Sequence, residues 1–145
     1  MDIIIRNVTI QDAEDIRKIS MNDLGYKCDI NLVKSRIQTL DNNREQVFVA
    51  EVDNKVIGYV HVEKFNTLYY EPMVNIQGMV VDSNYQRKGI GKRLMERAEK
   101  WGREIGASKV RLNSGIERID AHKFYRAIGY DDEKEQIRFM KTINK

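Results

Sequence analysis

The chain has one cysteine, one proline and no apolar run approaching the length of a membrane span, and each shortage removes a class of protein. Cys28 alone cannot build an internal disulfide framework or a multi-cysteine zinc site, so no metal centre is expected and a reducing compartment fits. Around the sole proline, Pro72, no low-complexity tract or linker marks a break where a second domain would begin. The opening MDIIIRNVTI has an acid at Asp2 and only three consecutive apolar residues, which predicts neither a leader nor a membrane anchor and points to a cytoplasmic address. Charge of one sign is also scarce. With 25 basic and 22 acidic residues the net charge is +3, too balanced for a nucleic-acid binder, although a local basic turn can still receive one polyanionic ligand.

What remains is a mixed-charge chain of 145 residues, 41% apolar, enough for one folded domain over residues 1–145. Ile3 to Val8 reads as a strand. Ala13, Ile16 and Ile19 then recur at helical spacing after a capping Thr9, and Gly25 stops that helix. Asp29 caps a second helix with the narrow stripe Ile30, Val33, Ile37 and Leu40. Val47–Val52 and Val56–Glu63, separated by Asp53-Asn54-Lys55, predict an antiparallel hairpin. Val74–Asp82 is the next strand, and Gly78 in its interior marks a bulge or a close approach of another backbone or a ligand. Ile90, Leu94, Ala98, Trp101 and Ile105 define the strongest helix, ended by Gly106. Lys109–Leu112 is a short strand, and Ser114 with Glu117 has capping-box spacing ahead of a helix carrying Ala121, Phe124, Tyr125 and Ile128. Gln136–Ile143 reads as a last strand. The order predicts an α/β domain with a mixed sheet and helices on both faces.

Between the fourth strand and the long helix lies NYQRKGIGKRL, residues 84–94. Backbone N–H groups at a helix start lack intrahelical partners and attract anions. Gly89 and Gly91 let the chain turn tightly without Cβ atoms in the way, and Arg87, Lys88, Lys92 and Arg93 add positive charge. The ligand this suits is a pyrophosphate. A P-loop would need glycine at 86 and Ser or Thr at 93, where Gln86 and Arg93 stand. A dinucleotide fingerprint would need a third glycine at Leu94 and a repeated βαβ order. Both are excluded.

The string Gln86-Arg87-Lys88-Gly89-Ile90-Gly91 resembles the Q/R-x-x-G-x-G/A acyl-CoA signature of the GNAT superfamily of N-acetyltransferases. Downstream, the run from Ala121 to Tyr130 resembles that family's A-x-x-x-Y-x-x-x-G-F/Y segment. The resemblance implies a central, mostly antiparallel sheet of six to seven strands, splayed between strands four and five. It implies acetyl-CoA as donor, with pyrophosphate on Gln86, Arg87, Lys88, Gly89, Ile90, Gly91 and Lys92. The pantetheine arm would lie along Met79, Val80 and Val81, with Asn113 reaching it across the splay. Tyr125 matches the family's general acid. One departure is visible, because many relatives carry Asn where this chain has Arg118.

The family often places an acidic base on strand four, but the polar residues here are Asn75 and Gln77. His61, Glu63 and Glu71 are the candidates left, beside a water relay or an acceptor amine that is already neutral. Tyr69, Tyr70 and Glu71 form an aromatic, acidic loop suited to an amine or cation, to loop packing or to a subunit contact, so a homodimer is compatible. The reading is an enzyme that acetylates a primary amine. The alternative is a non-catalytic acyl-CoA-binding domain.

Overall fold

Asp53 and Asn54 adopt positive φ (50° and 64°), the backbone that a two-residue hairpin requires, and they join β2 (Glu45–Val52) to β3 (Lys55–Phe65). In the computed structural model, which describes residues 1–144, this hairpin is the centre of a five-stranded sheet. Its order is β1 (Ile4–Asn7), β2, β3, β4 (Met73–Val81) and β5 (Lys109–Leu112). The first four strands are antiparallel and β5 runs parallel to β4, so the sheet is mixed as expected. The described residues divide into two compact units, Met1–Leu112 and a second from Asn113 onward.

Within the first unit, α3 (Ile90–Glu104) covers one face of the sheet. Ile90, Leu94, Met95 and Ala98 are each at most 1% exposed. Approach is close because two glycines sit at the contact. A Cβ on Gly58 would lie 3.2 Å from Leu94 Cδ1, and one on Gly102 would lie 3.1 Å from Val74 Cγ2. On the opposite face, α1 (Ala13–Asp23) and α2 (Ile30–Gln38) close over Val47, Val49, Val56 and Tyr59 with Ile16, Val33, Ile37 and Leu40. Asp29 caps α2 as predicted, accepting from the Asn31 N–H at 2.8 Å, and Gly25 follows α1 with φ 76°.

In the second unit α4 (Ile119–Ala127) is followed by Gly129 at φ 102°. Two expectations fail here. Ser114 and Glu117 do not form a capping box. The chain turns first, with Arg118 N–H on the Gly115 carbonyl and Ile119 N–H on the Glu117 carbonyl, so the helix starts later, with Arg118 at its cap. Gln136–Ile143 is not a strand. Its alternating Ile137, Phe139 and Ile143 are exposed, and alternation makes a strand only where the backbone finds a ladder partner. The described sheet therefore has five strands, not six or seven.

Candidate functional site

β4 and β5 pair only from Met73 to Ile76, and there β5 ends. Immediately beyond, the β3–β4 register shifts by one residue. His61 lies opposite Gly78 and Val62 opposite Ile76, which leaves Gln77 as the extra residue of a bulge beside the predicted glycine. Backbone direction in the rest of β4 follows from one hydrogen bond. The Asp82 N–H donates to the Ile57 carbonyl of β3 at 2.7 Å. Because alternate residues of a strand direct their N–H and C=O groups to opposite sides, Val80 also faces β3, whereas Met79 and Val81 face the edge that β5 has left. The Val81 carbonyl lies 3.4 Å from Gln86 Nε2 on that side. This open edge carries donors and acceptors for an extended ligand.

The edge leads into the glycine turn. Asp82 caps a single helical turn, Ser83–Tyr85, and the chain then passes Arg87 at φ 64° and Gly89 at φ 78° before α3 begins. A positive φ is uncommon for a non-glycine residue and marks strain that the surroundings hold in place. Gly89 is the cap of α3, and the first helical bond there is Arg93 N–H to the Gly89 carbonyl. The N–H groups of Ile90, Gly91 and Lys92 precede that bond, and no acid stands in the first turn to occupy them. Ile90 is 1% exposed, so only its backbone is available to a ligand. Arg87, Lys88 and Lys92 are solvent-facing, while Arg93 turns away to the Ile3 carbonyl at 3.0 Å. Orphan amides, local cations and an open strand edge fit a pyrophosphate joined to an amide-bearing arm.

In the second unit Tyr125 of α4 packs among aromatic rings, 5.1 Å from Phe124 and 6.0 Å from Tyr130 between centroids. Burial pushes its phenol above the ordinary value, and Arg118 offsets only part of that. It therefore stays protonated at neutral pH. His122 engages the Gly115 carbonyl through Nε2 at 2.8 Å. Asn113 follows β5 directly. Tyr69 and Tyr70 form a tilted pair, 4.9 Å between ring centroids and 58° between planes, in an exposed loop with Leu68 and Glu71.

Several polar pairs of the α1/α2 face were not legible beforehand. Glu45, Glu63, Asn75 and Arg111 stand opposite one another across β2 to β5. Asn75 Nδ2 donates to Glu63 Oε1 at 3.1 Å, and Arg111 donates to Asn75 Oδ1 at 2.6 Å. Beside them His61 Nε2 meets Glu45 Oε1 at 2.7 Å. Nearer β1, Arg6 grips both oxygens of Asp12 at 2.8 Å and reaches Glu51. Among the described residues no cluster of metal-ligating side chains occurs, and no helix is long and apolar enough to cross a membrane.

The chain has relatives among known proteins. The family model described as Acetyltransferase (GNAT) family matches residues 13–130, from α1 through α4. An aminoglycoside N(6')-acetyltransferase type 1 of Stenotrophomonas maltophilia is 25% identical over 73% of this chain and 72% of its own length. An aminoalkylphosphonate N-acetyltransferase of Salmonella typhimurium is 26% identical over 96% and 90%. An N-alpha-acetyltransferase of Sulfurisphaera tokodaii is 29% identical over 90% and 81%. Among solved structures, a transcriptional regulator of Bacillus halodurans C-125 superposes with TM-score 0.87 at 23% identity, over 97% of this chain and 100% of that one. AAC(6')-Iy in complex with a CoA-containing bisubstrate analogue superposes with TM-score 0.82 at 20% identity, over 98% and 99%. Those two likenesses show the fold, and the match across residues 13–130 shows the family: this chain belongs to the GNAT family of acetyltransferases.

Proposed function

We propose that the chain, acting as one domain over residues 1–145 in the cytoplasm, transfers the acetyl group of acetyl-CoA to a primary amine. The observation that carries the donor half is the open edge of β4, where Met79 and Val81 direct their backbone groups away from β3 just ahead of the orphan amides of α3. The pantetheine arm pairs with Met79 and Val81, flanking Val80, and with Asn113. The pyrophosphate lies on the turn Gln86–Lys92, where Gly89 and Gly91 admit it and Arg87, Lys88 and Lys92 neutralise it.

Attack of a neutral amine on the thioester expels a thiolate, which must gain a proton. Tyr125 supplies it. A phenol above its reference pKa of about 10 is a weaker acid than a thiol near 8.5, so this transfer relies on position rather than on acidity. On release of the thiolate the new amide nitrogen sheds one proton, which returns Tyr125 to its starting state. The exposed loop Tyr69, Tyr70 and Glu71 offers two aromatic faces and a carboxylate to a cationic acceptor. The aminoglycoside and N-alpha relatives suggest an amine on a larger polar body as the acceptor class.

Tyr125→Phe tests the assignment. It should lower kcat by about 10²- to 10⁴-fold while leaving acetyl-CoA affinity unchanged, read as thiol release over a panel of amines. Full turnover in the variant would remove Tyr125 from the mechanism. Acetyl-CoA binding without turnover across a broad amine panel would remove the acceptor half of the reading.

A further inference from the structure

An alkyl amine with a pKa near 10.4 is about one part in a thousand neutral at pH 7.4, so some group must take its proton before it attacks. β4 offers only Asn75 and Gln77, neither of which is a base. Of the carboxylates nearby, Glu63 has both oxygens engaged, Oε1 by Asn75 and Oε2 by Arg44 at 3.3 Å, and Glu71 lies in the exposed loop. The pair that remains is Glu45 and His61.

We propose that His61, oriented by Glu45, accepts the ammonium proton of the acceptor amine through its Nδ1. The proposal rests on the donor reading above: an arm that runs from the Gln86–Lys92 turn along Val81 and Met79 brings the thioester at its end beside the β4 bulge at Gln77. His61 is the cross-strand partner of Gly78 at that bulge, and directly paired residues share one face of a sheet. A Cβ on Gly78 would meet nothing within 4 Å, so the space beside the ring is open on the face where the pair stands. The His61 side chain is 21% exposed, enough to be reached and too little to be a freely solvated ring.

Hydrogen bonding fixes the tautomer. A carboxylate can only accept, so in the neutral ring Nε2 carries the hydrogen toward Glu45 at 2.7 Å and Nδ1 holds the lone pair. Nδ1 makes no hydrogen bond among the described residues. Burial works against the charge of Glu45, but hydrogen bonds from His61 and from the Asp41 N–H, with the charge of Arg36, outweigh it. Together they hold this carboxyl below the usual range. Glu45 is therefore ionised and stabilises the imidazolium once it forms, the arrangement by which a carboxylate orients and supports a histidine base. The other groups on this face are Arg36 from α2, Tyr59 along β3, and the Arg44, Glu63, Asn75 and Arg111 chain, in which each carboxylate already meets a cation.

The protons balance. The ammonium gives one proton to His61, which later releases it to solvent. The nitrogen of the tetrahedral adduct gives up a second as the C–S bond breaks, matching the one that the thiolate gains. The net products are the amide, the free thiol and one proton.

The test is the ratio of wild-type to His61→Gln kcat/KM, followed from neutral pH upward with the best alkyl amine of the panel. A lost base leaves the variant dependent on the free-amine fraction. The expected deficit is about 10²-fold or more near neutrality, shrinking about tenfold per pH unit as the amine pKa is approached. Acetyl-CoA affinity and urea midpoint should hold. Glu45→Gln, which keeps the imidazole, should show the same pH-dependent deficit at about one tenth the size. A deficit that is absent, or constant with pH, in either folded variant overturns the proposal. Loss of acetyl-CoA binding upon altering the Gln86–Lys92 turn supports the donor reading independently, so failure of the base leaves that reading standing.

Discussion

The two faces of the sheet are built from the same strands and obey different rules. Against α3, Phe48, Val60, Val62 and Val74 meet Leu94, Met95 and Ala98 with almost no polar atom between them. A cation, Arg97, lies 4.1 Å over the Phe48 ring. Against α1 and α2 the apolar cluster is interrupted by polar pairs. These are Arg6 with Asp12, Ser20 with Tyr59 at 2.7 Å, Glu45 with His61, and the Glu63, Asn75 and Arg111 chain. Burying such pairs gains less stability than apolar packing of the same volume, and breaking one leaves a stranded charge. The α3 face thus supplies rigidity, and the α1/α2 face spends part of its area on groups that can exchange protons.

The largest effect that separates the faces is expected at Leu94, which is fully buried over Gly58. Leu94→Ala removes three side-chain carbons from a close-packed contact and should cost about 2–5 kcal/mol in urea unfolding. Activity per folded molecule and its pH profile should be unchanged. A variant of normal stability with altered turnover would erase the distinction between a structural and a chemical face.

A smaller loss is expected at Asp12, which is 5% exposed and held by Arg6 and the Thr9 N–H. Burial alone would raise its pKa, but the hydrogen bonds and charge of Arg6 hold it below the ordinary carboxylate value. A group depressed in the folded state stabilises above its unfolded pKa, near 3.9, and loses that contribution as pH falls through the folded value. Asp12→Asn should therefore cost about 1–3 kcal/mol at neutral pH, less than a fully buried pair because Arg6 remains 31% exposed. The gap to wild type should close below about pH 4. A gap that persists at lower pH would mean that packing, not charge, holds this end of the α1/α2 face.

The same contrast explains what could be read from residues alone. The α3 face was legible because helical period, the Gly106 stop and continuous apolar strands are local signals. The Asp53-Asn54 hairpin was legible from turn chemistry, and the bulge from Gly78. The polar pairs were not, because register decides them. Counted outward from Val52 opposite Lys55 without interruption, β2 would set Glu45 against Val62 and leave Glu45 and His61 on opposite faces. The actual register shifts by one residue after Glu51, which sets Glu45 against Glu63 and Val47 against His61. A one-residue slip exchanges the faces of every side chain beyond it, and Gly58, the strand glycine opposite Ala50, marks the place without saying which strand gains the residue. The last expected strand misled for the opposite reason, since Ile137, Phe139 and Ile143 have the pattern but lie exposed without a ladder.

The smallest effect concerns Gly89, where the rigid face meets the proposed donor site. Its φ of 78° is costly for a side chain, yet a Cβ there would touch nothing within 4 Å. Gly89→Ala therefore carries a conformational penalty of about 1 kcal/mol and no steric one. If the turn keeps its shape, α3 and the sheet bear that cost and the midpoint of unfolding falls slightly with acetyl-CoA affinity intact. If the turn relaxes to escape the strain, the amides of Ile90, Gly91 and Lys92 lose their common aim and acetyl-CoA affinity falls severalfold. Arg87, already at positive φ in the same turn, makes relaxation the expected result, because two strained residues in three positions leave little to hold the third. Gly89→Asn, a residue that tolerates the left-handed region, should restore most of the affinity. Calorimetric titration with acetyl-CoA, set beside urea unfolding, resolves the two outcomes. A loss of affinity that asparagine does not repair would show that the absence of a side chain, rather than the backbone angle, is what the pyrophosphate requires at this position.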